Sequence, residues 1–400
     1  MPIIMAKASG ASGFHIASLD GLRAVAIVIV FLSHAGLGNI IPGTFGVTVF
    51  FFLSGYLIAT LLRLESERFG QISLKQFYLR RTFRIIPPLY LLLFMALALS
   101  VANVLPGGPP APSGVLAQLL FCANYYKIFS LGHLVPGTRV LWSLAVEEHF
   151  YLVFPLFFVA LNLWVRSVRR QVILMAGLCA LVLVWRCVLV FYLGYGAPAG
   201  SQSWARLSEA TDTRVDSILF GCMLAIVGNP TLDKSRLSER QWKWILFPTS
   251  IVGLLLVFLI RNEGFRETFR YTLQGLFLFP VFITVIRFPT WGVARILNWR
   301  WVTFIGLLSY TLYLQHDWMS EAVRETLARF GYHSALLAYG IAGVLSLLLS
   351  TAVYYAVERP IAALRKRISR VSQPVAAKKV PTDEPAHGEG LLFNQEPDSV

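Results

Sequence analysis

The twenty residues from Ile85 to Val104, IIPPLYLLLFMALALSVANV, carry no charged side chain. Similar runs recur along the chain, each close to the ~20 residues a helix needs to cross a bilayer core. Backbone groups in hydrocarbon must satisfy one another, so such runs can only be helices or the strands of a closed barrel. Barrel strands would read as alternating segments of about ten residues, and that pattern is absent. Composition agrees: 56% of the 400 residues are hydrophobic and 14% charged, whereas soluble domains are about a quarter charged. The expected fold is all-α, a polytopic transmembrane helical bundle of ten spans at 17–36, 43–63, 85–104, 141–164, 171–192, 212–228, 244–260, 267–287, 302–320 and 335–357. The stretch 115–130 is apolar but short and polar-flanked, and reads as re-entrant or interfacial.

Lys and Arg counts set the orientation, because cytoplasmic loops are enriched in both. With the N-terminus inside, the inner segments hold 25 of the 35 and the outer loops nine, with Arg186 in mid-span. Both termini are therefore expected in the cytoplasm, and a net charge of +14 is ascribed to those loops and to contact with membrane lipids, with no nucleic-acid partner. The organisation reads as a cytoplasmic segment over 1–16, a membrane domain over 17–360 and a cytoplasmic tail over 361–400, Pro-, Glu- and Lys-rich and disordered by composition. The first span has a short apolar core, as a signal peptide does, but Asp20 and Arg23 sit against it and nine spans follow. Cys122, Cys179, Cys187 and Cys222 form no metal-like spacing, so neither a metal nor a disulfide scaffold is expected. No internal repeat is visible that would point to an inverted-repeat transporter.

Polar residues within spans are costly, about 2.5–3.5 kcal/mol for a charge at mid-helix, and so are functional candidates. In LDGLRAVAIVIVFLSHAG, Asp20 and Arg23 open span one and His34 closes it, about 21 Å away at 1.5 Å per residue. Alone, His34 reads as an interfacial histidine, and Asp20 and Arg23 as a helix start. In FYLRRTFRIIPPLY, Arg81 and Arg84 share a helix face; they suit either a phosphate or acidic lipid headgroups. In VLWSLAVEEHFYLVFPL, Trp142, Ser143 and Glu147 form a polar patch whose acid could orient a histidine or a hydroxyl, or simply favour a helix start. Arg214 and Asp216 in span six, with Asp212, read as an internal ion pair. Ser309, Tyr310, Tyr313 and His316 in span nine read as interhelical hydrogen-bonding groups. Glu358 ends span ten beside basic residues. Anion-binding groups thus gather on the inner side, and histidine and carboxylates towards the outer side.

These stretches resemble the acyltransferase type 3 family, polytopic membrane acyltransferases that O-acylate glycans and some small molecules. The resemblance rests on LDGLRAVAIVIVFLSHAG, GTFGVTVFFFLSGYLIATLL, FYLRRTFRIIPPLYLLL, LWSLAVEEHFYLVFPL, DTRVDSILFGCMLA, IGLLSYTLYLQHDW and AVERP, in family order from about residue 16 to 360. It implies that His34 is the essential first-span histidine and that Arg81 and Arg84 are the pair associated with acyl-CoA. It implies further that Glu147 is the acid of the span-four pattern and Glu358 the glutamate near the end of the last span, placed here with the acyl-CoA site. His149 stands where glutamine is frequent. Members with an extra extracytoplasmic hydrolase-like domain are longer, so acceptor presentation is expected to come from the spans, a partner or the acceptor itself.

The expected activity is transfer of an acyl group, expected to be acetyl, from acyl-CoA as co-substrate to a hydroxyl of a glycan acceptor, with no permanently bound cofactor, in a bacterial inner membrane. Arg81 and Arg84 would dock the phosphates and His34 would take the acceptor's proton or be acylated itself. Glu147 would orient His34 or the acceptor. Two other readings are a tailoring O-acyltransferase for a small molecule such as a macrolide, and a transporter or flippase without chemistry.

Overall fold

The computed structural model describes residues 16–195 and 201–368. The segment before residue 16 and the tail beyond 368 lie outside the described residues. Ten helices correspond to the ten expected spans: α1, Ala17–Leu37; α2, Gly43–Phe69; α3, Leu74–Val101; α4, Leu141–Trp164; α5, Val168–Tyr192; α6, Thr211–Ile226; α7, Glu239–Leu259; α8, Phe269–Arg287; α9, Arg300–Arg329; and α10, Ala335–Leu364. The described residues form no strand.

Eight of the ten are long and apolar enough to cross a membrane; α6 and α9 are not among them. The reason is their position. Helix α6 has 16 residues, about 24 Å at 1.5 Å per residue, and nearly all of it is buried. Helix α9 has 30 residues but buries Ser309, Thr311, Gln315, His316 and Asp317. Helices shielded from lipid by their neighbours can carry polar groups that pair inside the bundle. The lipid-facing helices do the reverse and expose large apolar side chains such as Leu181, Leu256 and Leu348. The stretch 115–130 forms two short helices, Pro112–Leu119 and Ala123–Ile128, far too short to cross.

Two close crossings hold the inner helices. A Cβ on Gly55 of α2 would lie 1.9 Å from the Ile218 carbonyl of α6, and one on Gly221 would lie 1.9 Å from the Phe52 carbonyl. At the second crossing, a Cβ on Gly306 of α9 would lie 1.8 Å from the Asp20 carbonyl of α1. Glycine at such contacts lets membrane helices approach to backbone distance. A wholly buried ion pair, Arg186 to Asp216 at 2.7 Å, joins α5 to α6, and Arg186 also reaches Thr272 of α8. The internal ion pair expected around Asp216 thus joins two helices, with Arg186 rather than Arg214 as its cation. Residues 214 and 216 are two apart and point to different sides of a helix, so Asp216 takes its partner from α5. Asp212 pairs with Arg206 at 2.5 Å.

The chain runs alternately between two ends of the bundle. At one end Glu65 of α2 pairs with Arg80 of α3, and Arg63 of α2 pairs with Asp233 between α6 and α7. Arg287, closing α8, donates to the Asp233 carbonyl there. At the other end Lys127 pairs with Glu209, Arg139 with Asp317, and Arg329 donates to the Asn103 carbonyl beyond α3. The first is termed the arginine end and the second the histidine end.

Candidate active site

Helix α3 brings Arg81 and Arg84 to the arginine end just before Pro87 and Pro88. Proline removes a backbone donor, and beside the two prolines Tyr310 of α9 donates to the Ile85 carbonyl at 2.9 Å, fixing α9 against α3. The Arg81 guanidinium lies over the rings of Tyr151 at 4.8 Å and Phe77 at 5.8 Å. Among the described residues neither Arg81 nor Arg84 makes a hydrogen bond or an ion pair. Their neighbour Arg80 is engaged with Glu65 at 2.9 Å.

Two cavities meet at this point. A cavity of about 510 Å³ is lined by Asp20, Arg23, Arg84, Tyr310, Glu358 and Arg359, among others. A narrower one of about 90 Å³ continues along the inner helices past Arg81, Ser54, Glu147, Ser143 and Tyr313. Arg23, Arg84, Ser309 and Tyr310 line both. Arg23 donates to Asp20 at 2.8 Å, and Thr311 donates to Glu358. Residues that are far apart in the sequence thus converge on one arginine-lined mouth.

Glu147 lies in the narrow cavity. Ser54 donates to one of its oxygens at 3.0 Å and Tyr151 to the other at 2.7 Å. It shares this cavity with Arg81 and has no contact with His34. Further along, the hydroxyls of Ser143 and Tyr313 are 2.6 Å apart, and the Tyr313 ring centroid is 5.8 Å from that of His316.

At the histidine end α1 leaves α-helical geometry. Ser33–Leu37 forms a π turn in which Gly36 has φ +92°, a conformation glycine adopts without strain. Such turns often occur at functional positions. His34 sits in this turn and is exposed. Its Nδ1 lies 2.8 Å from Nε2 of His316, with the ring centroids 5.0 Å apart and the ring planes within 24° of each other, so the rings meet edge to edge. His316 is buried, and its Nδ1 lies 2.9 Å from the Tyr313 carbonyl oxygen. Asp317 binds Arg139 through two contacts of 3.2 Å. That bond pushes the Arg139 pKa up, so the cation persists.

Trp142, Arg214 and Asp216 line neither cavity. Arg214 is wholly buried, 3.9 Å from the Tyr271 ring centroid and 5.6 Å from that of Trp142, and it donates to Thr48 and the Ser208 carbonyl. The sequence places Tyr151 on the face of Glu147 but gives no sign of Ser54, which also holds Glu147, or of Arg139 with Asp317. Among the described residues no three His, Cys, Asp or Glu side chains converge as metal ligands do.

A family model described as "Acyltransferase domain" matches residues 16–355. The peptidoglycan O-acetyltransferase OatA of Listeria monocytogenes is 31% identical over 76% of this chain and 49% of its own length. The Bacillus subtilis protein named "Putative peptidoglycan O-acetyltransferase YrhL" is 28% identical over 87% of this chain and 55% of its own. A Staphylococcus aureus protein named "Putative O-acetyltransferase SACOL0978" is 30% identical over 76% of this chain and 50% of its own. The chain thus spans about half the length of the curated relatives it matches. No solved structure matches it.

Proposed function

The chain belongs to this acyltransferase family, and we propose that it is a membrane O-acetyltransferase that moves an acetyl group from acetyl-CoA to a hydroxyl of a cell-wall glycan. One observation carries the reading. Arg84 lies at the mouth shared by both cavities and Arg81 just inside the narrow one, and neither guanidinium makes a hydrogen bond or an ion pair among the described residues. Guanidiniums bind phosphate oxygens through paired, charge-assisted hydrogen bonds, and a nucleotide diphosphate would supply them. The wider cavity takes the nucleotide, with Arg23 adding a third cation. The narrow one suits a single extended chain, the pantetheine arm. The arginine end then faces the cytoplasm of a bacterial inner membrane, as the Lys and Arg bias requires.

The acceptor hydroxyl reaches the exposed His34 from the histidine end. His34 removes its proton as the oxygen attacks the thioester carbonyl. The carbon–sulfur bond breaks, the ester forms, and the CoA thiolate recovers a proton from His34. Glu147, anchored by Ser54 and Tyr151 inside the donor cavity, acts on the acyl-CoA chain. The names of the relatives favour a glycan acceptor over a small molecule.

The test uses purified full-length protein, radiolabelled acetyl-CoA and peptidoglycan glycan fragments. Label should appear in ester linkage on the glycan, and His34→Ala should bind acetyl-CoA normally but transfer at least 100-fold more slowly, the scale of general-base loss. Label that stays in acetyl-CoA would remove the enzymatic reading, and full transfer by His34→Ala would remove the assignment of the base.

A further inference from the structure

We infer that His316 is a positioning residue that fixes the tautomer of His34, so that Nε2 of His34 is the nitrogen that works on the acceptor. The inference rests on the proposed role of His34 and is carried by two contacts. A backbone carbonyl oxygen can only accept a hydrogen bond. Nδ1 of His316 lies 2.9 Å from the Tyr313 carbonyl, so that nitrogen bears the proton. A neutral imidazole has one N–H, which leaves Nε2 of His316 as a lone pair. Nδ1 of His34 lies 2.8 Å from that lone pair and must therefore donate. Nε2 of His34 is left unprotonated, makes no hydrogen bond among the described residues, and belongs to an exposed side chain.

The chain of donors has a fixed direction because one end is anchored in backbone. Tyr313 and His316 are one helical turn apart on α9, so the carbonyl that orients His316 moves with it. His316 is buried, packed by Phe31 of α1 at 6.4 Å between ring centroids, and cannot easily turn over. When His34 takes a proton at Nε2, its Nδ1–H still donates to His316, so the cation forms without any rearrangement. The charged groups beside the pair are Asp317 and its partner Arg139, both outside the N–H chain. A carboxylate in the place of His316 would hold the same tautomer but would add a charge to the bundle. A neutral imidazole does so without one.

Three variants separate this from packing. His316→Ala removes the acceptor, and kcat for transfer from acetyl-CoA to glycan fragments should fall about 10- to 100-fold, the range seen when the orienting partner of a metal-bound histidine is lost. KM for acetyl-CoA should not change. His316→Gln places a carbonyl oxygen near the position of Nε2 and should recover kcat to within about fivefold of the wild type, as an acceptor. His316→Leu fills the space without accepting and should be as slow as His316→Ala. Equal rates for the Gln and Leu variants, or an unchanged kcat in His316→Ala, would overturn the proposal. If the Ala and Leu proteins do not fold, imidazole ¹⁵N shifts of the wild type decide. They should show His34 as the Nδ1–H tautomer; the Nε2–H tautomer would overturn it. Full transfer by His34→Ala would instead overturn the reading on which it rests, so the two failures are distinguishable.

Discussion

Arg80, Arg81 and Arg84 sit within two helical turns, yet they have different work. Arg80 neutralises the buried Glu65, while Arg81 and Arg84 make no hydrogen bond or ion pair among the described residues. This division predicts opposite phenotypes. Arg84→Ala removes charge-assisted hydrogen bonds worth about 1.5–3 kcal/mol each, so acetyl-CoA affinity by calorimetry should fall roughly 10- to 100-fold with no change in melting temperature. Arg80→Ala leaves the Glu65 carboxylate buried without its partner, and the melting temperature should drop while affinity is kept. If Arg84→Ala instead lowers stability and spares affinity, the pair serves the membrane rather than a substrate. The shared face of Arg81 and Arg84 is legible from their three-residue spacing, but Arg80, four residues before Arg84, shares that face too, so spacing does not separate their roles. The partner of Arg80 is not legible, because it depends on where α2 ends. The pairing of His34 with His316, 282 positions apart, is hidden for the same reason: local periodicity gives the face of a helix but not the helix it meets.

At the scale of helices, the bundle depends on where backbones touch. Helix α1 carries His34 and α9 carries His316, and the two helices cross with Gly306 against the Asp20 carbonyl. Gly306→Leu must push them apart at the arginine end, so both the melting temperature and acetyl transfer should fall sharply. Gly340→Leu on α10 is the control. A Cβ there meets nothing within 4 Å, so stability should stay within about 0.5 kcal/mol, as for substitutions away from packed features. Equal behaviour of the two variants would mean that the crossing is not tight. Hydropathy reads the outer helices well because lipid selects apolar side chains over a full bilayer thickness. It reads α6 and α9 less well, since their surroundings are protein, and their polar residues mark the interior rather than a break in the spans. The same polar residues, Ser309, Tyr310, Tyr313 and His316, carry much of the site. The π turn that exposes His34 has only Gly36 to announce it.

For the whole molecule, the alternating path places every arginine-end contact on segments expected inside and every histidine-end contact on segments expected outside. The arginine mouth and the histidine pair therefore lie at opposite ends of one bundle; the narrow cavity runs from the mouth as far as Ser143 and Tyr313, and the Tyr313 ring adjoins His316. The proposed reaction needs these ends to face different compartments, with acetyl-CoA on one side and glycan on the other. Orientation is thus as much a part of the mechanism as any side chain. Asn39, between α1 and α2 at the histidine end, and Lys234, between α6 and α7 at the arginine end, are both exposed. In a background with Cys122 and Cys187 changed to serine, Asn39→Cys should react with a membrane-impermeant maleimide added to intact spheroplasts. Lys234→Cys should react only after lysis, while Cys179 and Cys222, both buried, stay silent. The reverse pattern would put Arg81 and Arg84 on the outer face, where no acetyl-CoA is available to them, and the donor site proposed at the arginine end would have to be abandoned along with the orientation.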